Sequence, residues 1–455
     1  MIVFAVIAER DINFFISIAK RIQKKDSSKA IVFISFYEPG NKNIKLSGFK
    51  VYNIYNYLGA SNPNIFNDFD IDDIHEFTLH ESVTFNIPRK SVQNKYGSYL
   101  PAINEILKEI LLQSKNDKVT IYQELGGFVA PMSLFFVSKK LNINHIFFEP
   151  SFFKGRLFFV KNDYKSLKIM NNILAETKDM KSKLHDLSKN KTTVIPDKDK
   201  HHFKLNVLKK ISTFSNLKKI FRKLLNKYLF NQKEEYNYVL NHIKRNIKYA
   251  INSFAMKKLY SNSISKDSFN IYFPLHVPLD YALTIRAPKY FDQLQLIEQI
   301  LEFNFDRRFN ILIKEHPASI GGFSAKHIRK IINKYPHNFK ILSPNLNTYD
   351  IIKKIDLTLT INSKSGAEAL SQNKPVVCLG DSFYMNSSEV IYCNSLDKLK
   401  LTIDSFLKNN VTKINIDNVV NFFQNIYNIS HELELYSNED KNLNDFATKI
   451  LEDQK

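Results

Sequence analysis

Four short segments hold the side chains with which this chain can do chemistry. In Ile361-Asn362-Ser363-Lys364-Ser365-Gly366-Ala367-Glu368 an apolar run ends in a Ser/Gly turn that opens a helix. Backbone N–H groups, two hydroxyls and the positive end of a helix dipole converge there, which suits a phosphate at Ser363, Ser365 and Gly366. The other reading is that Ser363 only caps the helix. The GxxxxGK[ST] spacing of a Walker A loop is absent. In Lys314-Glu315-His316-Pro317, followed by Gly321-Gly322, a histidine stands at the end of an apolar run with proline fixing the next backbone unit. Such a histidine can donate to a phosphate oxygen or act as an acid, with Lys314 adding charge, or it is simply a satisfied polar residue.

The third segment is Phe273-Pro274-Leu275-His276-Val277-Pro278-Leu279-Asp280, with Thr284 and Arg286 just beyond. Its two prolines preclude a regular helix and make an ordered loop that presents His276 and Asp280, unless it is a proline-braced linker. An aspartate near Arg286 in a cleft is a candidate low-pKa carboxylate that attacks or orients. The fourth comprises Gln123-Glu124-Leu125-Gly126-Gly127 and Phe148-Glu149-Pro150-Ser151-Phe152-Phe153-Lys154-Gly155-Arg156, each with a carboxylate directly after an apolar run. Glu124 or Glu149 can serve as general acid/base of glycosyl transfer. Alternatively, Glu149 pairs with Arg156 as a salt bridge.

The elements that must position these residues are βα repeats. Ile2–Ala8, Ala30–Phe36, Val119–Gln123 and His145–Glu149 read as strands, with helices at Asp11–Lys25 and Pro131–Leu141. From Phe269 a second series begins, with strands at Asn270–Pro274, Asn310–Lys314, Phe339–Leu342, Leu357–Ile361 and Pro375–Leu379 between helical segments. This order predicts an α/β chain of two Rossmann-like halves with parallel sheets, and ligands collect at the carboxyl edge of such sheets. The expected division is 1–160 for the N-terminal domain, 161–265 for a basic helical insert, 266–395 for the C-terminal domain and 396–455 for a helical tail.

The whole chain has 455 residues, 44% hydrophobic and 24% charged, which excludes wholesale disorder. Its 65 Lys+Arg against 45 Asp+Glu give +20, a surface drawn to nucleotides, polyanions or anionic lipid. Cys378 and Cys393 stand alone, outside any metal or disulfide spacing, so a reducing, cytoplasmic setting is expected. MIVFAVIAERDINFF reads as a buried strand rather than a secretion signal, and the longest apolar stretches fall short of the roughly 20 residues that cross a bilayer. Between 201 and 250 twelve Lys and Arg oppose only Glu234 and Glu235. Within it Leu217, Ile220, Phe221, Leu224, Leu225, Tyr228 and Leu229 recur at helical spacing, an amphipathic basic helix. It either packs on its own domain or docks on an anionic surface of the inner membrane, as a peripheral protein does. No nucleic-acid module accompanies the charge.

Taken together, FEPSFFKGR, FPLHVPLD, KEHP and INSKSGAEALSQNKPVVCLG occur in the order found in a bacterial capsular polysaccharide biosynthesis family that includes retaining β-Kdo transferases. The chain resembles that family closely over 268–385 and loosely over 1–160. The resemblance implies a GT-B glycosyltransferase, two Rossmann-like domains facing a cleft, that moves Kdo from a CMP-activated donor onto a capsular or other surface glycan or glycolipid. It implies Asp280 as nucleophile of a double displacement and Glu149 as acid/base with Glu124 in reserve. Ser363, Ser365, Gly366, Lys314, His316, Pro317 and His276 would surround the donor, and Arg156 or Arg286 would grip the sugar carboxylate. No metal or other cofactor is expected, since fixed donors can meet the charge of departing CMP. The alternatives are a CMP-sialic acid transferase or CDP-polyol phosphotransferase of the same fold, and a non-catalytic component of a capsule assembly complex.

Overall fold

A computed structural model describes residues 1–59, 74, 76–115, 117–169, 178–191, 214–303, 305, 309–408 and 413–454. Lys204, Lys209 and Lys210 of the basic stretch lie outside these residues.

The N-terminal lobe opens with β1 (Ile2–Val6), α1 (Glu9–Lys25), β2 (Ile31–Ser35), α2 (Asn41–Leu46) and β3 (Lys50–Asn53). It continues through α3 (Leu79–Phe85), α4 (Arg89–Gln113), β4 (Thr120–Glu124), α5 (Val129–Lys140), β5 (Asn144–Pro150) and β6 (Leu157–Lys161). The run Ile-Val-Phe-Ala-Val of β1 is buried at every position, as a strand covered on both faces must be. Strand order is β3-β2-β1-β4-β5-β6, parallel except that β6 returns antiparallel to β5 with Glu149 opposite Phe158.

The insert supplies α6 (Lys178–Lys189), α7 (Phe214–Tyr228) and α8 (Val239–Met256). The second lobe follows with β7 (Tyr260–Ser261), β8 (Phe269–Pro274), α9 (Tyr281–Thr284), α10 (Gln293–Leu301), β9 (Phe309–Lys314), α11 (Ala325–Lys334) and β10 (Phe339–Leu342). Then come α12 (Thr348–Lys353), β11 (Leu357–Thr360), α13 (Lys364–Leu370), β12 (Val376–Cys378) and β13 (Val390–Tyr392). The order β13-β12-β11-β8-β9-β10-β7 is parallel throughout. The α/β class with two Rossmann-like sheets is therefore the observed fold.

The stretch expected as one helical tail divides. Leu399, Ile403 and Phe406 of α14 (Leu396–Leu407) complete the core of the second lobe. Then α15 (Ile416–Ile429) and α16 (Asp440–Asp453) cross back to the first lobe, where Phe446 meets Phe14 and Phe148 edge-on at 5.2 and 5.5 Å. An apolar cluster also runs between the lobes, taking in Val3 and Ile103 on one side and Tyr272 and Ile351 on the other.

Candidate functional site

Strand order reverses between β1 and β4 in the first sheet and between β11 and β8 in the second, whose far edge is closed by β7 beside β10, and ligands of open parallel sheets bind at such switch points, outside the carboxyl ends. In the second lobe the reversal lies between β8 and β11, so the loop after β8, holding His276 and Asp280, borders the loop after β11, holding Ser363. The loops are tied together, Asn362 Nδ2 donating to Ala282 O at 2.6 Å and to Asp381 O at 3.1 Å. Next to them, Leu275 N donates to Lys314 O at 3.0 Å, which holds the β8 loop against that of β9.

Asp280 is half-buried and caps α9, its Oδ1 accepting from Ala282 N at 2.9 Å. His316 is half-buried and caps the short turn Pro317–Ser319, its Nδ1 accepting from Ala318 N at 3.2 Å. An accepting Nδ1 carries no proton, so the neutral ring is protonated on Nε2, a donor for an anion. Pro317 fixes the first residue of that turn and itself offers no donor. His276 departs from expectation. It is 5% exposed rather than presented at the mouth, burial pushes its pKa down to about 4, and its Nε2 faces Asn362 N at 3.5 Å. It is a neutral strut between the two switch-point loops.

The serine turn is only partly the expected cradle. Ser363 Oγ accepts from Ser365 N at 3.2 Å, the capping role, which leaves its own proton to donate. Ser365 bonds inward to the Glu368 carboxyl, which is 6% exposed and pushed up to about 7 by burial. Gly366 serves packing, since an added Cβ would lie 2.5 Å from the Tyr384 hydroxyl, which donates to Ser363 O at 2.6 Å. Lys314 is 5% exposed beneath the turn and donates to Leu346 O and Thr348 Oγ1 at 2.8 and 3.0 Å. Burial lowers its pKa to about 8, so it backs the site rather than lining it.

In the first lobe the reversal lies between β1 and β4, where Glu124 Oε2 accepts from Arg10 Nη2 at 2.6 Å and from the Tyr436 hydroxyl at 2.7 Å. Glu149 is tied to Arg286, Nη1 to Oε1 at 2.7 Å and Nη2 to Oε2 at 2.8 Å, and also accepts from the Tyr281 hydroxyl. Burial favours the neutral acid there, but the Arg286 guanidinium outweighs it and holds the carboxyl below its ordinary range. A carboxylate kept ionised by a saturated bidentate partner is a poor proton donor, which corrects the acid/base expectation for Glu149. Arg286 is corrected with it, because its Nε is spent on Tyr164 O at 2.8 Å and its side chain is 4% exposed. Nor does Arg156 pair with Glu149. Its guanidinium lies 3.9 Å from the Tyr427 ring and donates to Tyr427 O and Ser430 O, covering the carbonyl end of α15 on the first lobe's flank.

The two carboxyl edges face one another across these contacts. His80 bonds Thr284 at 2.6 Å, Lys364 Nζ donates to Ser151 O at 3.0 Å, and a Cβ on Gly127 would come within 2.9 Å of Ile285. Sequence reasoning missed Asn362, Glu368, Glu315, Tyr281 and His80. Four of these, all but His80, stand inside or beside the motifs, yet only the tertiary pairing gives them roles. Asn362 Oδ1 is buried without a protein partner at the switch point. Glu315, wholly buried, accepts from Tyr260 and Gly321 N at 2.5 and 2.9 Å, and burial pushes it up to about 7. A cavity of about 630 Å³ lies elsewhere, between the β5–β6 turn, α6, α15 and α16, lined by Arg156, Lys183, Tyr427 and Asn442. Among the described residues no cluster of three or more His, Cys, Asp or Glu is arranged to hold a metal, and no helix is long and apolar enough to cross a membrane.

Residues 187–402 match the family model described as "Capsule polysaccharide biosynthesis protein". Protein FixF of Sinorhizobium fredii (strain NBRC 101917 / NGR234) is 29% identical over 137 residues, 29% of this chain and 32% of that protein. The chain thus spans about a third of the curated relative's length. Similar solved structures include the β-Kdo 2,7 transferase of Thermosulfurimonas dismutans KpsC, 15% identical, covering 76% of this chain and 89% of that one with a TM-score of 0.33. A glycosyltransferase from Rickettsia africae ESF-5 is 12% identical, covering 100% and 97%, with a TM-score of 0.33. From the end of α6 through the whole second sheet, then, the stretch that supplies His276, Asp280, His316 and Ser363 is similar to the capsule polysaccharide biosynthesis family.

Proposed function

We propose that the chain is a glycosyltransferase of surface-polysaccharide assembly that takes its sugar, Kdo, from CMP. The observation that carries the reading is the meeting of the β8 and β11 loops at the switch point with the β9 loop beside them, which brings Asp280, a donor-bearing His316 and the Ser363 hydroxyl to one sheet edge. In this reading the Asp280 carboxylate attacks the anomeric carbon while the bond to the phosphate oxygen breaks, and CMP departs with the electron pair. His316 Nε2–H and Ser363 Oγ–H meet the growing negative charge without reorganising, because backbone amides already fix both side chains. Attack by an acceptor hydroxyl on the anomeric carbon then breaks the bond to Asp280, the hydroxyl proton passing to water and the carboxylate being restored. Asn362 Oδ1 offers a hydroxyl or amino group of the donor a buried acceptor.

The experiment is a donor screen. CMP-Kdo, CMP-sialic acid and CDP-glycerol are supplied in turn and nucleotide release is measured. CMP appearing from CMP-Kdo alone is the expected result. Release only from CMP-sialic acid or CDP-glycerol transfers the site to that donor. If no donor is turned over and CMP does not bind, the catalytic reading fails and a non-catalytic assembly role replaces it.

A further inference from the structure

Nine of the fifteen large apolar side chains exposed among the described residues fall between Leu217 and Phe254, within the insert hairpin of α7 and α8. The faces this hairpin turns to the protein are fully used. Arg222 pairs with Glu9, Arg245 donates to Thr84 O at 2.9 Å, Tyr238 to Glu81 at 3.1 Å, and Asn252 to Gly321 O at 3.2 Å. The inner stripe of α8 runs through Asn241, Arg245, Tyr249, Asn252 and Met256. A second stripe at the same helical spacing, Leu240, Lys244, Ile247, Ile251, Phe254 and Lys258, is exposed throughout. On α7, Leu217, Phe221 and Tyr228 repeat the pattern beside exposed Lys218 and Lys219, and Leu229 and Phe230 extend it into the turn.

Such a surface is costly in water, and monomeric proteins rarely expose so many large apolar groups together. Its charge selects the occupant. Both acidic residues between Phe214 and Tyr260, Glu234 and Glu235, are buried, so the exposed charge of these helices is entirely Lys and Arg. Two copies meeting through this face would bring lysines against lysines in a drying interface, which costs free energy. A bilayer with anionic headgroups accepts both components at once, the apolar stripe entering the acyl boundary and the lysines reaching the phosphates.

We infer that the outer face of the α7–α8 hairpin docks in the plane of an anionic lipid bilayer. The inference stands apart from the nucleotide-sugar reading and survives its failure. The test is co-sedimentation of the full chain with vesicles of phosphatidylcholine alone or mixed with phosphatidylglycerol. The expected result is binding to the mixed vesicles, at least roughly tenfold tighter than to the neutral ones and weakened by salt. Phe221→Ser/Ile251→Ser/Phe254→Ser and, separately, Lys244→Gln/Lys248→Gln/Lys258→Gln should each lower that binding by at least roughly tenfold, with unchanged thermal unfolding because all six side chains are exposed. Equal binding to both vesicle types, undiminished binding by the apolar variant, or a dimer of the wild type that the apolar variant dissolves would overturn the inference.

Discussion

The Ala318 amide and the Ala282 amide each fix a reactive side chain from behind, and this makes the contributions of His316 and Asp280 separable from their structural ones. Asp280→Asn keeps an oxygen for the cap and removes the nucleophile, whereas Asp280→Ala also forfeits the cap, about 1 kcal/mol. The expected outcome is loss of turnover in both, with a lower unfolding midpoint only in the alanine variant. Glu315 sets a pH dependence. Its folded pKa lies near 7, above the unfolded value of 4.5, so its contribution to stability is complete below pH 4.5 and is lost as pH rises to about 7. Thermal unfolding of the wild type should fall across that window, by on the order of 3 kcal/mol, and Glu315→Gln should flatten the fall. Both residues stand in motifs chosen for their chemistry, but only Asp280 could be singled out from spacing. Burial lifts Glu315, and the hydroxyl of Tyr260, more than fifty residues earlier, only partly offsets it, so no local pattern announces the shift.

Pairs joining strands and helices decide which expected residues belong to the site. Glu149 and Arg286 close the gap between β5 and α9, one lobe to the other. Removing one member leaves a buried charge, so Arg286→Met should destabilise by about 3–5 kcal/mol, read by denaturant unfolding. Glu149→Gln/Arg286→Met should recover part of that loss. A double variant no more stable than the single one would show that the pair is not the strut described. By the same logic Arg156→Ala should lower stability while leaving nucleotide release near wild type, since the Arg156 guanidinium is spent on the carbonyl end of α15. The strands with continuous apolar runs, β1, β2, β4, β5, β8, β9 and β11, were legible because burial on both faces leaves that mark. The edge strands β3 and β13, with exposed or half-exposed positions, were not. Nor was α4, whose internal Pro101 argues locally against a 25-residue helix but is tolerated inside the packed lobe. The serine turn was read correctly as a helix start, yet its Gly366 answers to Tyr384, a partner invisible without the fold.

Over the full length of the chain, two parallel sheets turn their carboxyl edges toward each other, and α16 straps the first lobe after the second is complete. Phe446, fully buried between Phe14 and Phe148, should cost about 3–5 kcal/mol when cut to alanine, read by denaturant unfolding. That two halves exist was readable from the repeated βα order. That the end of the chain belongs to the first half was not, because polar amphipathic helices carry no mark of the lobe they cover. Whether this crevice breaks the bond between a sugar and CMP, as proposed, is decided by CMP release from CMP-Kdo in wild type, Asp280→Asn and His316→Ala. The expected result is release by the wild type, a loss of at least roughly 10³-fold in Asp280→Asn and of roughly 10²–10³-fold in His316→Ala, each with the fold retained. Wild-type rates in both variants would contradict it.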